Sequence, residues 1–113
     1  MKQGEIWKIN LSPTIGAEIK KERPAVIIND DSIGVLPLRV IVPVTEWKDN
    51  FFDAIWMVKT EPDSQNNLTK ASAIDTFQIR SISIARFIKK IGFVSPDILS
   101  EIKTAIKAVI DAD

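Results

Sequence analysis

Pro24-Ala-Val-Ile-Ile-Asn29 and Leu38-Arg-Val-Ile-Val-Pro-Val-Thr45 decide the fold. Both are short runs rich in β-branched residues, which pack well on a pleated surface and lose side-chain freedom in a helix. Each is a continuous apolar run of strand length, and the pair is predicted to form central strands. Pro24 stands at the start of its run, where a missing N–H costs least, whereas Pro43 implies that the second strand bulges or meets an edge near its end. Between the runs, Asn29-Asp-Asp-Ser32 and Gly34 supply turn chemistry.

Working outward, Ile6 to Leu11 puts Trp7, Ile9 and Leu11 on one side and Lys8 and Asn10 on the other, the alternation of a half-buried strand. Thr14 to Arg23 has charge and a glycine but no apolar period, so it reads as a long exposed loop of the kind that often carries function. On the carboxy-terminal side a strand fits Ala54 to Thr60, a loop fits Glu61 to Asn67, and strands fit Ala71 to Ile79 and Ile88 to Val94. A turn or single helical turn near Ser83 to Arg86 separates the last two. Only the tail has helical spacing. Ser95 is a predicted N-cap, Pro96 the first helical residue and Asp97 a first-turn acid, followed by Ile98, Leu99, Ile102, Ala105, Ile106, Val109 and Ile110. Strands followed by one helix predict a mainly β domain spanning 1–113, a small, partly open barrel of the SH3-like kind.

The residue types that are missing exclude more chemistry than those present suggest. The 113 residues include no His, no Cys and no Tyr, so a zinc site of the usual ligands, a Ser-His-Asp triad and a cysteine nucleophile cannot be built. Acid–base groups must come from Asp, Glu, Lys, Arg or a hydroxyl. That suits a substrate carrying its own nucleophile, as RNA does: its 2′-hydroxyl can attack the adjacent phosphate, leaving the protein to orient the attack, move protons and stabilise charge. No metal and no cofactor is expected. Met1-Lys-Gln-Gly-Glu5 lacks the apolar segment of a secretory signal, and no apolar run approaches a membrane span, so a cytoplasmic protein is expected.

Fifteen basic residues balance fifteen acidic ones, so net charge does not argue for nucleic acid. The distribution is more informative. Between Asp75 and Asp97 there is no acid, while Arg80, Arg86, Lys89 and Lys90 fall there, and Lys20, Lys21 and Arg23 crowd a second segment.

Gly4-Glu-Ile-Trp7, Leu11-Ser-Pro13, Gly16-Ala-Glu18 and Arg23-Pro-Ala-Val-Ile-Ile28 occur in the order and spacing of the amino-terminal signature of the MazF/PemK/Kid toxins. Ile41-Val-Pro-Val-Thr45, Gln78-Ile-Arg80-Ser-Ile82 and the terminal helix extend the resemblance over nearly the whole chain. The chain thus resembles a family whose fold is an MazF/CcdB/Kid-like barrel, whose active form is a homodimer and whose role is the toxin half of a type II toxin–antitoxin pair. The resemblance implies a metal-independent, sequence-specific endoribonuclease, an mRNA interferase acting on single-stranded RNA, with a MazE/PemI-like antitoxin as partner.

Carried across residue by residue, the resemblance makes Arg23 the catalytic arginine and Thr45 the catalytic hydroxyl residue, with Glu18 in the family's Gly-x-Glu loop as a third catalytic residue. Lys20, Lys21, Gln78 and Arg80 are expected to bind RNA, with Trp47 and Phe77 as surfaces on which bases stack. The chain departs from the family's pattern twice. Glu46 follows Thr45 where many relatives have a second small hydroxyl residue, and Phe77 stands where some relatives have an acid. Asp75, two positions earlier and so on the same face if the segment is a strand, is a candidate substitute for that acid. Two other readings share the barrel: a catalytically inactive RNA- or antitoxin-binding member, and a CcdB-like toxin that docks on DNA gyrase.

Overall fold

The computed structural model describes residues 1–13, 15–18 and 21–113. The strands are β1 (Glu5–Asn10), β2 (Glu22–Ile27), β3 (Leu38–Glu46), β4 (Met57–Thr60), β5 (Ser72–Asp75), β6 (Arg80–Ser83) and β7 (Phe87–Phe93), followed by helix α1 (Pro96–Val109). They form one antiparallel sheet in the order β4-β5-β3-β2-β1-β7, with β6 also paired to β3. The mainly β architecture with a terminal helix is therefore as the sequence predicts, and the sheet is open.

The two runs that decided the fold become the middle of this sheet. Ile6, Val26 and Val42 are successive cross-strand neighbours on one face, joined by Val44, Val58 and Ile74 in a core cluster that the helix covers through Ile102 and Ala105. Ile9, Ala25, Ile27 and Ile41 point to the opposite face and form a second buried cluster with Leu11 and Ile82. Central strands buried on both faces lose the apolar–polar alternation of a half-exposed strand. That is why these segments read as uninterrupted hydrophobic runs.

Pro43 is tolerated in β3 because of where the strand changes partners. One edge of β3 pairs with β6 through Leu38–Ile41 and with β5 through Val44–Glu46. Val42 and Pro43 lie at the changeover, where that edge has no ladder for an absent N–H to interrupt.

The open gap between β4 and β7 is crossed by the loop ahead of β5. Phe93 N–H donates to the Gln65 carbonyl at 3.1 Å and the Asn67 side-chain amide donates to the Ile91 carbonyl at 2.8 Å. The approach is so close that a Cβ added to Gly92 would lie 2.2 Å from the Gln65 carbonyl oxygen.

The opening motif Gly4-Glu-Ile-Trp7 acquires a structural reason. Gly4 has φ +89, a conformation that favours glycine, and bonds both Ile27 and Val94 through its backbone. Glu5 accepts from the Trp7 indole at 2.9 Å and the Lys2 N–H at 3.1 Å, and lies 3.1 Å from the Lys90 ammonium. Burial alone would raise the Glu5 pKa, but these hydrogen bonds and the amino-terminal charge outweigh it and hold the carboxyl at about 2. Arg86 is likewise structural, donating to the Asn10 and Ser12 carbonyls.

Several predicted boundaries shift. The Ala54 to Thr60 strand shortens to β4, because Ala54 and Met57 make turn hydrogen bonds to Phe51 and Ala54. The predicted strand Ala71 to Ile79 breaks after Asp75, where the Asp75 carboxylate accepts from Phe77 N–H and starts a 3-10 turn over Thr76–Gln78. Beyond that turn β6 forms, which the sequence reading had not separated. The helical turn near Ser83 to Arg86 is present at Ile84–Arg86. The Ser95 side chain caps α1 as predicted, while Ile110 lies past the last helical residue and is exposed.

Candidate active site

On one face of β2 and β3, Ile27 pairs with Ile41 and Ala25 with Pro43. Two residues beyond that ladder in each strand stand Arg23 in β2 and Thr45 in β3. The apolar ladder of the second core cluster thus ends in an arginine and a hydroxyl. Both residues are half-buried, and both are among those lining an open cleft of about 240 Å³. Arg23 also stands opposite Ile9 of β1, which is fully buried. Its guanidinium is therefore carried at the rim of the core, where a planar donor can reach a ligand while its stem stays packed.

The rest of the cleft comes from Pro24, Val44 and Glu46 and from the segment entering β5: Leu68, Thr69, Lys70 and Ser72. The pairing of Glu46 with Ser72 brings this segment in, and Lys70 Nζ lies 3.8 Å from Glu46 Oε2. Sequence reasoning missed Thr69, Lys70 and Ser72. A Lys beside a strand start is a weak linear signal, and only the β3–β5 register links it to Thr45.

A second cleft, of about 370 Å³, is lined by Glu18, Pro43, Phe77, Gln78 and Arg80, among others. Pro43 lies two residues before Thr45 in β3, so both clefts draw on that strand. Four predicted site residues gather here, including Glu18, which lines this cleft rather than the one holding Arg23. One Glu18 carboxylate oxygen accepts from Ile15 N–H at 2.6 Å. Phe77 is 65% exposed, and its ring meets that of Trp56 edge-on with centroids 6.0 Å apart. Trp56 is a second exposed aromatic that the sequence reading did not select.

The suggestion that Asp75 shares a strand face with Phe77 is corrected. The strand ends at Asp75, whose buried carboxylate accepts from Phe77 N–H and, at 3.1 Å, from the Gln78 side-chain amide. Asp75 builds the turn that presents Phe77 and Gln78.

Trp47 lines neither cleft. It meets Phe51 edge-on at 5.7 Å, has Lys59 Nζ 5.1 Å from its ring centroid, and borders a separate hollow with Phe52. Lys21 is exposed where the chain turns into β2, with φ +68. Lys20 lies outside the described residues. Among the described residues, no group of three or more acidic side chains is arranged to hold a metal ion.

The sequence profile of one family, described as the PemK-like, MazF-like toxin of type II toxin–antitoxin systems, matches residues 2–110. The chain is 31% identical over 117 residues to the endoribonuclease MazF9 of Mycobacterium tuberculosis, covering 98% of this chain and 97% of that one. It is 31% identical over 106 residues to the endoribonuclease MazF of Staphylococcus saprophyticus, covering 94% and 88%. Among solved structures it superposes on MazF of Deinococcus radiodurans with a TM-score of 0.80 at 20% identity, covering 98% and 96% of the chains. A mycobacterial endoribonuclease in complex with its cognate antitoxin gives a TM-score of 0.79 at 14% identity, covering 100% and 97%.

Proposed function

The chain belongs to the PemK-like, MazF-like toxin family, and on that premise we propose that it cleaves single-stranded RNA by in-line attack of the substrate's own 2′-hydroxyl in the cleft of Arg23 and Thr45. It is an endoribonuclease toxin of a toxin–antitoxin system. The observation that supports the mechanism is that Arg23 and Thr45, distant in sequence, line one cleft just beyond the end of the β2–β3 ladder.

Each residue has a role that follows from its chemistry. The Arg23 guanidinium presents a fixed fork of donors to two non-bridging phosphate oxygens and stabilises charge as the phosphorane forms. The Thr45 hydroxyl hydrogen-bonds the 2′-oxygen and aims it at phosphorus. The neighbouring cleft is the site for a flanking nucleotide: Phe77 offers a ring to stack on, Gln78 and Arg80 offer donors, and Glu18 an acceptor, for base edges that single-stranded RNA leaves open. Lys20 and Lys21 attract the backbone, and Trp47 serves a base further along. No metal is needed, because the nucleophile belongs to the substrate and the arginine supplies the charge.

We also propose that the toxin acts as a homodimer in the cytoplasm and is held inactive by its cognate antitoxin. In support of a self-association surface, the exposed side chains Val35, Leu36, Leu38 and Ile84 cluster where Ile84 N–H bonds the Pro37 carbonyl and Leu38 pairs with Ser83. No helix among the described residues is long and apolar enough to cross a membrane.

Purified protein incubated with a long single-stranded RNA in EDTA, with cuts mapped by primer extension, tests this reading. Site-specific cuts that vanish in Arg23→Ala are expected. Intact RNA after incubation with folded wild-type protein would overturn the enzymatic reading.

A further inference from the structure

We propose that Lys59 and Trp47 form a further RNA-binding subsite, in which a base of the single strand stacks on the Trp47 indole and displaces the Lys59 ammonium onto the adjoining backbone phosphate. The proposal rests on the ribonuclease reading above. It adds to that reading a residue, Lys59, which neither the sequence motifs nor the two clefts select. Lys59 lies with Trp47, Asp49 and Phe52 around a hollow of about 490 Å³.

The strand registers place this pair on the sheet face that carries Thr45. Ala73 of β5 is the cross-strand partner of both Thr45 in β3 and Lys59 in β4. Directly paired residues send their side chains to the same face, so Lys59 lies on the side of Thr45, two strand spacings or about 10 Å away. This is the face of Ile41, from which β3 alternates through Pro43 to Thr45. It is also the face of Ala25, two residues from Arg23 in β2. Trp47 follows Thr45 by two, and its N–H donates to the Ala71 carbonyl at 3.0 Å, so pairing with the β5 segment continues that far and keeps the indole on the same face. The Lys59 Nζ, 5.1 Å from the Trp47 ring centroid, agrees with this placement.

The hollow is built before a ligand arrives. Phe52 is 84% exposed, a ring that the core does not use. The loop that carries it is fixed by turn hydrogen bonds from Phe51 N–H to the Lys48 carbonyl at 2.9 Å, Phe52 N–H to Asp49 at 3.2 Å and Ala54 N–H to Phe51 at 2.9 Å. Trp47 is braced edge-on by Phe51. Lys59, by contrast, is held lightly. Besides the indole, its partner is Glu61 at 3.6 Å, and the two side chains are 48% and 67% exposed, a pair of little worth in water. A cation–π contact at so exposed a site is weaker than the stacking of a base on an indole. A base therefore takes the place of the ammonium, which turns on its flexible stem to the phosphate beside it. Asp49 lines the same hollow and offers acceptors to a base N–H. Aromatic rings beside a positive charge are the combination that single strands bind, and the bases of a duplex, stacked on one another, cannot use it.

The test measures binding of the full-length toxin to a short single-stranded RNA with one mapped cleavage site and a 2′-deoxy sugar at the cut. Wild type, Lys59→Ala, Lys59→Arg and Trp47→Leu are compared over a range of salt, and again on RNAs shortened one nucleotide at a time from each end. Lys59→Ala is expected to weaken binding about fivefold or more at low salt and to lower the slope of log affinity against log salt by about one. Lys59→Arg, which keeps the charge, is expected to stay within about threefold of wild type. Trp47→Leu is expected to weaken binding about tenfold or more. Both losses are expected to vanish on the same shortened RNA, the one that no longer reaches the hollow. A lysine that only packs on Trp47 would shift the melting temperature and leave the salt slope at its wild-type value. Lys59→Ala with wild-type affinity and slope, or losses in the two variants that vanish on different RNAs, overturns the subsite, and site-specific cutting by wild type then leaves the ribonuclease reading standing. Wild type that cuts nothing overturns both.

Discussion

Gln78 donates its side-chain amide to Asp75 Oδ2 at 3.1 Å, while the other oxygen of that carboxylate accepts from Phe77 N–H. One buried acid thereby fixes the turn from which two proposed RNA-binding side chains project. Asp75→Ala removes both bonds, and the loss of a capping acceptor costs about 1–2 kcal/mol. A lower melting temperature is expected, together with a changed cleavage-sequence preference, read by sequencing the cut ends, because Phe77 and Gln78 are no longer held in place.

Arg23→Lys retains the charge and loses the fork. If bidentate contact with the phosphate is the arginine's role, cleavage falls about 100-fold or more, while the melting temperature stays near that of wild type. Single-turnover rates and a thermal melt check the two halves of this expectation; an unchanged rate would mean that charge alone suffices.

Gly92 is where β7 meets the loop that crosses the open side of the sheet. With a Cβ placed 2.2 Å from the Gln65 carbonyl oxygen and 2.9 Å from that of Asn66, Gly92→Ala must push rigid backbone aside. A cost of about 1–3 kcal/mol is expected from such overpacking. Thermal melting of the variant measures it.

Glu5 makes stability depend on acid. Its folded pKa of about 2 lies below the ordinary 4.5, so the native state favours the ionised form. The stabilisation is fully present above about pH 4.5 and is lost as pH falls toward 2. Glu5→Gln is expected to destabilise the protein at neutral pH by on the order of 2 kcal/mol. The gap between variant and wild type in chemical denaturation should close progressively over that acid range.

The central strands were legible because burial on both faces leaves an unmistakable apolar run, and the terminal helix because Ser95, Pro96 and the isoleucine spacing agree with one another. The break after Asp75 was not, since Ala71 to Ile79 has strand-like composition and the interruption depends on where one aspartate side chain turns. Arg23 and Thr45 are proposed from their motifs. That both line one cleft follows from the placing of β2 beside β3, which no linear spacing contains. Lys70 was invisible for a related reason: it reaches the cleft through the pairing of Glu46 with Ser72, a contact set by the fold. Trp47 shows the converse, being near Thr45 in sequence and lining a different hollow.

The most direct test of the 2′-hydroxyl mechanism is mass spectrometry of the fragments cut from an RNA with a single mapped site, run beside the same RNA carrying one 2′-deoxy sugar at the cut. The mechanism predicts a 2′,3′-cyclic phosphate on the upstream fragment, a 5′-hydroxyl on the downstream one, and no cleavage of the deoxy-substituted strand. Cleavage of that strand, or a 5′-phosphate on the downstream product, would contradict it.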